Sequence, residues 1–94
     1  MSKTVMLERE GVMEQIRRAI AESGIPEEER VLLCSPRLGG WIDHALGIQG
    51  PAELSRELGA QLATVAYLED RKIIVTDRES ARKIAPESVQ AWRA

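Results

Sequence analysis

Residues 51–70 read PAELSRELGAQLATVAYLED, and this stretch predicts two short helices joined by a tight turn. Leu54 and Leu58 lie four residues apart, which places them on one face of a first helix that begins at Pro51. Gly59 suits the turn because glycine reaches positive φ without a Cβ clash. The pattern therefore predicts a helix-turn-helix, a motif in which two helices cross steeply around a small apolar centre.

The second helix of this motif is predicted over residues 61–70. Val65 and Leu68 would face inward from it and pack against the first helix. The segment 64–68 also suits a β-strand, because it combines β-branched and aromatic residues, and such a strand would pair with residues 72–76. The residue pattern leaves both alternatives open.

The string AELSRELGAQLATVAYLEDRKI, residues 52–73, resembles the helix-turn-helix of MerR-like regulators and of phage excisionase-like proteins. In those families, a β-hairpin wing and a short closing helix follow the motif. The resemblance implies a wing with strands at 72–75 and 82–84, and a closing helix over 86–92. Residues 77–81 read equally well as helix, which would make the chain a five-helix, repressor-like domain.

The resemblance also implies double-stranded DNA as the partner, bound by a dimer that regulates transcription or recombination in a phage or mobile element. The second helix would enter the major groove, where Gln61 would pair with adenine. Thr64 and Tyr67 would lie on the same exposed flank and reach a thymine methyl group or a phosphate oxygen. Basic residues that follow the helix would hold phosphates: Arg71, Lys72, Arg78, Arg82 and Lys83.

Residues 1–48 are predicted to form a helical extension in front of this motif. Its clearest helix lies within 8–23, where Ile16 and Ile20 fall on one apolar stripe. Gly24 would supply the left-handed position that ends this helix.

The segment that follows contains a short apolar run and a second helix. Residues 31–34, VLLC, are either the end of a helix or a short buried strand. Ser35 is a good N-cap, and a firm helix is predicted from Trp41 to Leu46. The predicted fold class is therefore mainly α, or a small α+β fold if the wing is a hairpin.

Composition and charge limit the possible functions. A chain of 94 residues fits a single domain, 1–94. The net charge is −2 and the isoelectric point is about 5.4, whereas DNA-binding domains usually carry a basic footprint. This charge favours an alternative function, in which a helix-turn-helix-like fold serves as a protein-interaction module, such as an inhibitor or adaptor of a host complex.

No spacing of residues indicates catalysis, a cofactor or a metal site, so we expect a protein that is not an enzyme. Cys34 is interpreted as a small buried hydrophobe and His44 as a structural or solvent-facing residue. Trp41 is interpreted as part of the core, with an exposed binding anchor as the alternative. No apolar run approaches the roughly 18 residues that span a bilayer. Because the N-terminus is also too charged for a secretory signal, the expected location is the cytoplasm.

Overall fold

The computed structural model describes residues 2–47 and 51–84, with the backbone alone at residues 51 and 52. These residues form four strands and four helices, and a short 3-10 turn at Glu27–Glu29 precedes the second strand. In chain order they are β1 (Ser2–Met6), α1 (Val12–Ala21), β2 (Arg30–Cys34), α2 (Pro36–Leu46), α3 (Pro51–Leu58), β3 (Gln61–Thr64), β4 (Lys72–Asp77) and α4 (Arg78–Ile84).

The four strands form one mixed sheet in the order β1-β4-β2-β3. β2 and β3 run parallel, with Leu32 opposite Leu62, and the chain between them contains α2 and α3. β4 lies antiparallel to both of its neighbours, so that Ile74 is opposite Leu33 of β2 and opposite Thr4 of β1. A strand from near the end of the described chain thus occupies a central position in the sheet.

The core lies on both faces of this sheet. On one face, the strand residues Leu32 and Val75 pack with residues of α1, α2 and α3. On the other face, Val31 and Leu33 pack with Ala81 of α4. Because β2 is covered on both sides, its apolar residues form a continuous run instead of alternating with polar ones.

The helices of the N-terminal half agree with the sequence patterns. Ile16 and Ile20 of α1 are buried on its predicted stripe, and Gly24 has the positive φ expected of it, at 73°. The side chain of Gln15 accepts a hydrogen bond from the backbone N–H of Glu8 at 2.8 Å, which fixes the loop between β1 and α1. The helical extension predicted over 1–48 is wrong at its start, however, because residues 2–6 form a strand.

The second predicted helix starts earlier than expected. α2 begins at Pro36 rather than near Trp41, because Ser35 caps it and accepts a hydrogen bond from the backbone N–H of Leu38 at 3.0 Å. The helix ends at Leu46, as predicted, and Gly47 follows it with a φ of 63°. The alternative left open for residues 31–34 is resolved in favour of a buried strand.

The predicted mainly α fold is wrong, since the structure is α+β with a four-stranded mixed sheet. Residues 61–70 are not a helix: 61–64 form β3, and turns follow. Because β2 is buried on both faces, its backbone N–H and C=O groups need hydrogen-bond partners along both of its edges. β3 supplies the partners along one of these edges. Gly59 has the predicted positive φ, at 81°, but it turns the chain from α3 into a strand rather than into a recognition helix.

The strand alternative for 64–68 is also wrong, because β3 covers 61–64 and shares only Thr64 with it, and the predicted partner strand is wrong too. β3 pairs with β2, whereas residues 72–77 pair with β2 and β1. The hairpin wing is wrong as well, because residues 78–84 form α4 and not a return strand. The alternative prediction of a helix at 77–81 is confirmed for residues 78–81, which belong to α4. The five-helix domain that this helix implied is wrong, because the fold contains a sheet. The predicted closing helix at 86–92 lies outside the described residues.

None of the helices in the described ranges has the length and apolar character needed to cross a membrane.

Candidate functional site

The carboxyl ends of the parallel strands β2 and β3 meet at one edge of the sheet, where α2 begins. Ser35 lies directly after β2 and is buried. Its hydroxyl donates a hydrogen bond to Oδ1 of Asp70 at 2.9 Å while it accepts one from the N–H of Leu38. Ser35 therefore joins the start of α2 to a loop that is 35 residues away in the chain.

A second contact holds the same loop. The guanidinium of Arg37 lies 3.5 Å from Oδ2 of Asp70, with the two side chains 86% and 53% exposed. An ion pair this exposed contributes little to stability. Its effect is on geometry, because Asp70 binds Ser35 through one oxygen and Arg37 through the other.

The loop between β3 and β4 is also fixed at its start. The N–H of Val65 donates to the carbonyl of Cys34 at 2.8 Å, and the N–H of Leu68 donates to the carbonyl of Val65 at 3.1 Å. Tyr67 lies inside the resulting turn and is 72% exposed. A large aromatic side chain is thus displayed on a loop whose two ends are held by hydrogen bonds.

The outer face of α2 continues from this edge. Residues three and four apart share a face of a helix, so Arg37, Trp41 and His44 lie on one side of α2, and Gly40 lies beside them. All four are exposed, and Trp41 is exposed by 45%. We refer to these four residues together with Tyr67 as the α2 surface.

The prediction that Trp41 belongs to the core is wrong. Leu38, Gly39 and Ile42 are the buried residues of α2, and Trp41 is turned by about 100° from Ile42 around the helix axis. The prediction that His44 is a structural or solvent-facing residue agrees with its exposed position.

The two adjacent glycines of α2 have different surroundings. A Cβ on Gly39 would lie 3.0 Å from Cγ2 of Thr64 and 3.6 Å from Sγ of Cys34, so a larger residue there would be crowded between α2 and β3. A Cβ on Gly40 would meet no atom within 4 Å in the described structure. Gly40 is less favourable than alanine in a helix by about 1 kcal/mol, and no contact inside the described chain explains it.

Cys34 offers no nucleophile at this edge. Its side chain is buried, which confirms the prediction of a small buried hydrophobe, and burial raises the pKa of the thiol to about 12. The thiol is therefore protonated at neutral pH, whereas nucleophilic attack requires the thiolate. Among the residues that the structure describes, no group of three or more His, Cys, Asp or Glu side chains could hold a metal ion.

The residues predicted to bind DNA are divided between different parts of the molecule. Four of them lie between the carboxyl end of β3 and the start of β4: Thr64, Tyr67 and Arg71 are exposed, and Lys72 is partly buried. Gln61 begins β3 at the opposite end and is half-buried rather than exposed as predicted. Its Oε1 is buried without a hydrogen-bond partner in the described residues. Arg78 begins α4, and Arg82 and Lys83 are exposed in its last turn.

Sequence patterns missed the residues that organise the site. Ser35 was identified as a helix cap, but its bond to Asp70 joins residues too far apart for any local pattern to reveal. Gly40 does carry a readable signal, since glycine inside a helix needs an explanation. Comparison with protein-family models, with curated proteins and with solved structures gave no match to this chain.

Proposed function

We propose that the protein is a non-enzymatic interaction module that binds another protein through the α2 surface. The observation that carries this proposal is the exposure of Trp41 on α2 and of Tyr67 on the loop that Asp70 joins to Ser35 and Arg37 at the start of the same helix. Trp, Tyr and Arg are the residue types most enriched among the hot spots of protein interfaces.

The framework beneath these side chains supports the proposal. Asp70 ties the loop of Tyr67 to the start of α2, where it contacts both Ser35 and Arg37. Arg37 precedes Trp41 by about one helical turn, so the two residues lie on the same face of α2. Because the backbone of this loop is already held in place, less conformational entropy is lost when a partner binds, and binding is therefore more favourable.

The charge of this region favours a protein over DNA. The basic pair Arg71 and Lys72 follows the acidic pair Glu69 and Asp70 directly in the chain, so side chains of both signs lie close together here. The chain as a whole carries a net charge of −2. Duplex DNA selects for an accumulation of positive charge, whereas protein interfaces commonly carry both signs at their rims.

The test combines crosslinking with a binding measurement. A photoreactive phenylalanine placed at position 41 or 67 is expected to crosslink one and the same protein in the native cells. The same group at Met6 serves as the matched control, because Met6 is a large apolar side chain that is 55% exposed on β1. The crosslinked protein is then purified and titrated calorimetrically with the chain.

Trp41→Ala and Tyr67→Ala are each expected to weaken this binding by about tenfold or more, while Met6→Ala leaves it unchanged. Circular dichroism melts show whether each variant is folded. Equal affinities for Trp41→Ala and the unsubstituted chain would contradict the proposal. So would tight, strongly salt-dependent binding of duplex DNA by a chain that crosslinks no protein from position 41.

A further inference from the structure

We infer that the α2 surface binds a second copy of this chain, with the two α2 helices packed antiparallel about a two-fold axis. This inference rests on the proposed function, because it names the partner of the same surface. It starts from an exposed tryptophan next to a glycine that no contact within residues 2–47 and 51–84 explains.

Gly40 provides the space that such a contact needs. A helix that meets only solvent gains from alanine at an exposed position, yet α2 has glycine there with open space above it. The close contact with β3 explains why residue 39 is glycine, but Gly40 has no such contact in the described chain. Absence of a Cβ lets another helix or a large side chain approach the backbone closely.

Trp41 provides the side chain that fills this space. If the two-fold axis crosses α2 midway between residues 40 and 41, each residue i lies opposite residue 81 − i of the second copy. Trp41 of each copy then covers Gly40 of the other copy, so the large and small residues interlock twice. The surface is in this way complementary to itself, which a two-fold interface requires.

The charges agree with this arrangement. The same axis places Arg37 opposite His44 of the second copy, in the C-terminal half of its α2 helix. The backbone carbonyls there carry a partial negative charge, and Asp43 adds a carboxylate nearby. In a parallel arrangement the two Arg37 side chains would instead lie together and repel each other.

The interface closes on itself, so the expected assembly is a dimer and not a filament. An α2 helix of 11 residues is about 16 Å long, so the contact is small and the association is expected to be weak, in the micromolar range or above. The measurement must therefore extend to high protein concentration.

The experiment is sedimentation velocity over a range of concentrations, from micromolar to several hundred micromolar. The unsubstituted chain is expected to shift from monomer to dimer. Trp41→Ala leaves a void at each contact, and Gly40→Leu fills the space that the indole occupies. Each is therefore expected to weaken dimerisation by about tenfold or more, whereas Met6→Ala does not. Thermal melts of dilute samples verify that all variants fold.

A mixture of the two variants gives the sharpest result. When a Gly40→Leu chain meets a Trp41→Ala chain, Leu at position 40 faces Ala at position 41, and the remaining Trp41 faces the remaining Gly40. The mixture is expected to form heterodimers although neither variant dimerises well alone. Labels of different colour on the two chains identify the heterodimer.

Two outcomes would overturn the inference. One is a chain that stays monomeric at all concentrations, and the other is a dimer that is insensitive to both substitutions and shows no rescue in the mixture. The proposed function fails separately, when position 41 crosslinks no protein of any kind. A monomeric chain that crosslinks a different protein from position 41 would leave the proposed function standing and contradict only the second copy as partner.

Discussion

At the scale of single residues, two neighbouring glycines of α2 show how the surroundings of a residue decide the effect of a substitution on stability. Gly39 faces β3, where Thr64 would crowd an added methyl group, and a methyl group on Gly40 would meet no described atom within 4 Å. Both positions have helical backbone, so alanine would gain the same helix propensity at each. Any difference between the two substitutions therefore measures the packing of α2 on β3.

We expect Gly40→Ala to raise the free energy of unfolding by up to about 1 kcal/mol, because it gains propensity without a new contact. Gly39→Ala is expected to lower it by about 1 kcal/mol, since crowding against Thr64 outweighs the same gain. Urea unfolding of dilute protein measures both changes. Thr64→Ser removes the crowded methyl group and should restore the stability of Gly39→Ala. A Gly39→Ala variant that Thr64→Ser does not rescue would show that this contact is not the cause.

At the scale of elements, α4 depends on the residue that precedes it. Asp77 ends β4, and its carboxylate accepts a hydrogen bond from the backbone N–H of Ser80 at 2.7 Å, as an N-cap does. This bond is the main reason why the pKa of Asp77 is lowered from 3.8 to about 2. The folded state therefore favours the ionised carboxylate, and α4 gains stability from it at neutral pH.

The sign of the resulting pH dependence follows from this lowered pKa. The contribution of Asp77 is present above pH 3.8 and is lost as the pH falls toward 2. Asp77→Asn keeps an acceptor for the N–H of Ser80 but carries no charge. Urea unfolding between pH 6 and pH 2 should show the unsubstituted chain more stable than Asp77→Asn at high pH, with the difference shrinking below about pH 4. A difference that does not change with pH would refute this role.

The elements also show what can be predicted from sequence. α1, α2 and α3 carry local signals, such as the stripe of Ile16 and Ile20 and the cap at Ser35, and their existence was predicted. β3 was missed because Leu62, Val65 and Leu68 recur every three residues and imitate a helix. Its strand conformation depends on pairing with β2, which lies about 30 residues earlier in the chain. A local pattern contains no information about such a partner.

The candidate site likewise has features that the sequence predicts and features that it does not. Its exposed aromatic residues are visible in the sequence, but the burial of neighbouring side chains decides that Trp41 faces outward, and this was predicted wrongly. The link between Ser35 and Asp70 depends on the meeting of two strand ends. It could be foreseen only once the parallel pairing of β2 and β3 was known.

At the scale of the whole molecule, β2 is the centre of the structure. Both of its edges are paired and both of its faces are covered, and Val31, Leu32 and Leu33 are fully buried. β1, by contrast, is paired within the described sheet only with β4, and four of its five residues are exposed. Stability should therefore decrease from the centre of the sheet toward this edge.

Hydrogen exchange measured by NMR tests this gradient. The amides of Leu32 and Leu33 are expected to exchange only through global unfolding, at the slowest rates in the molecule. Amides of β1 should exchange faster, through local opening that leaves the rest of the sheet intact. Equal protection of β1 and β2 would indicate that the sheet opens as a single unit.

The position of β4 inside the sheet has a consequence for how the protein is made. Ser2 and Thr76 share a hydrogen bond across 74 residues of chain, and β2 obtains one of its two neighbours only when residues 72–77 have been synthesised. Closing so long a loop is entropically unfavourable and slows folding. Until the ribosome has released that segment, the nascent chain presents an apolar strand with an open edge to proteases and chaperones. A chain that stops before Lys72 is therefore expected to be degraded rather than to accumulate as a smaller folded domain.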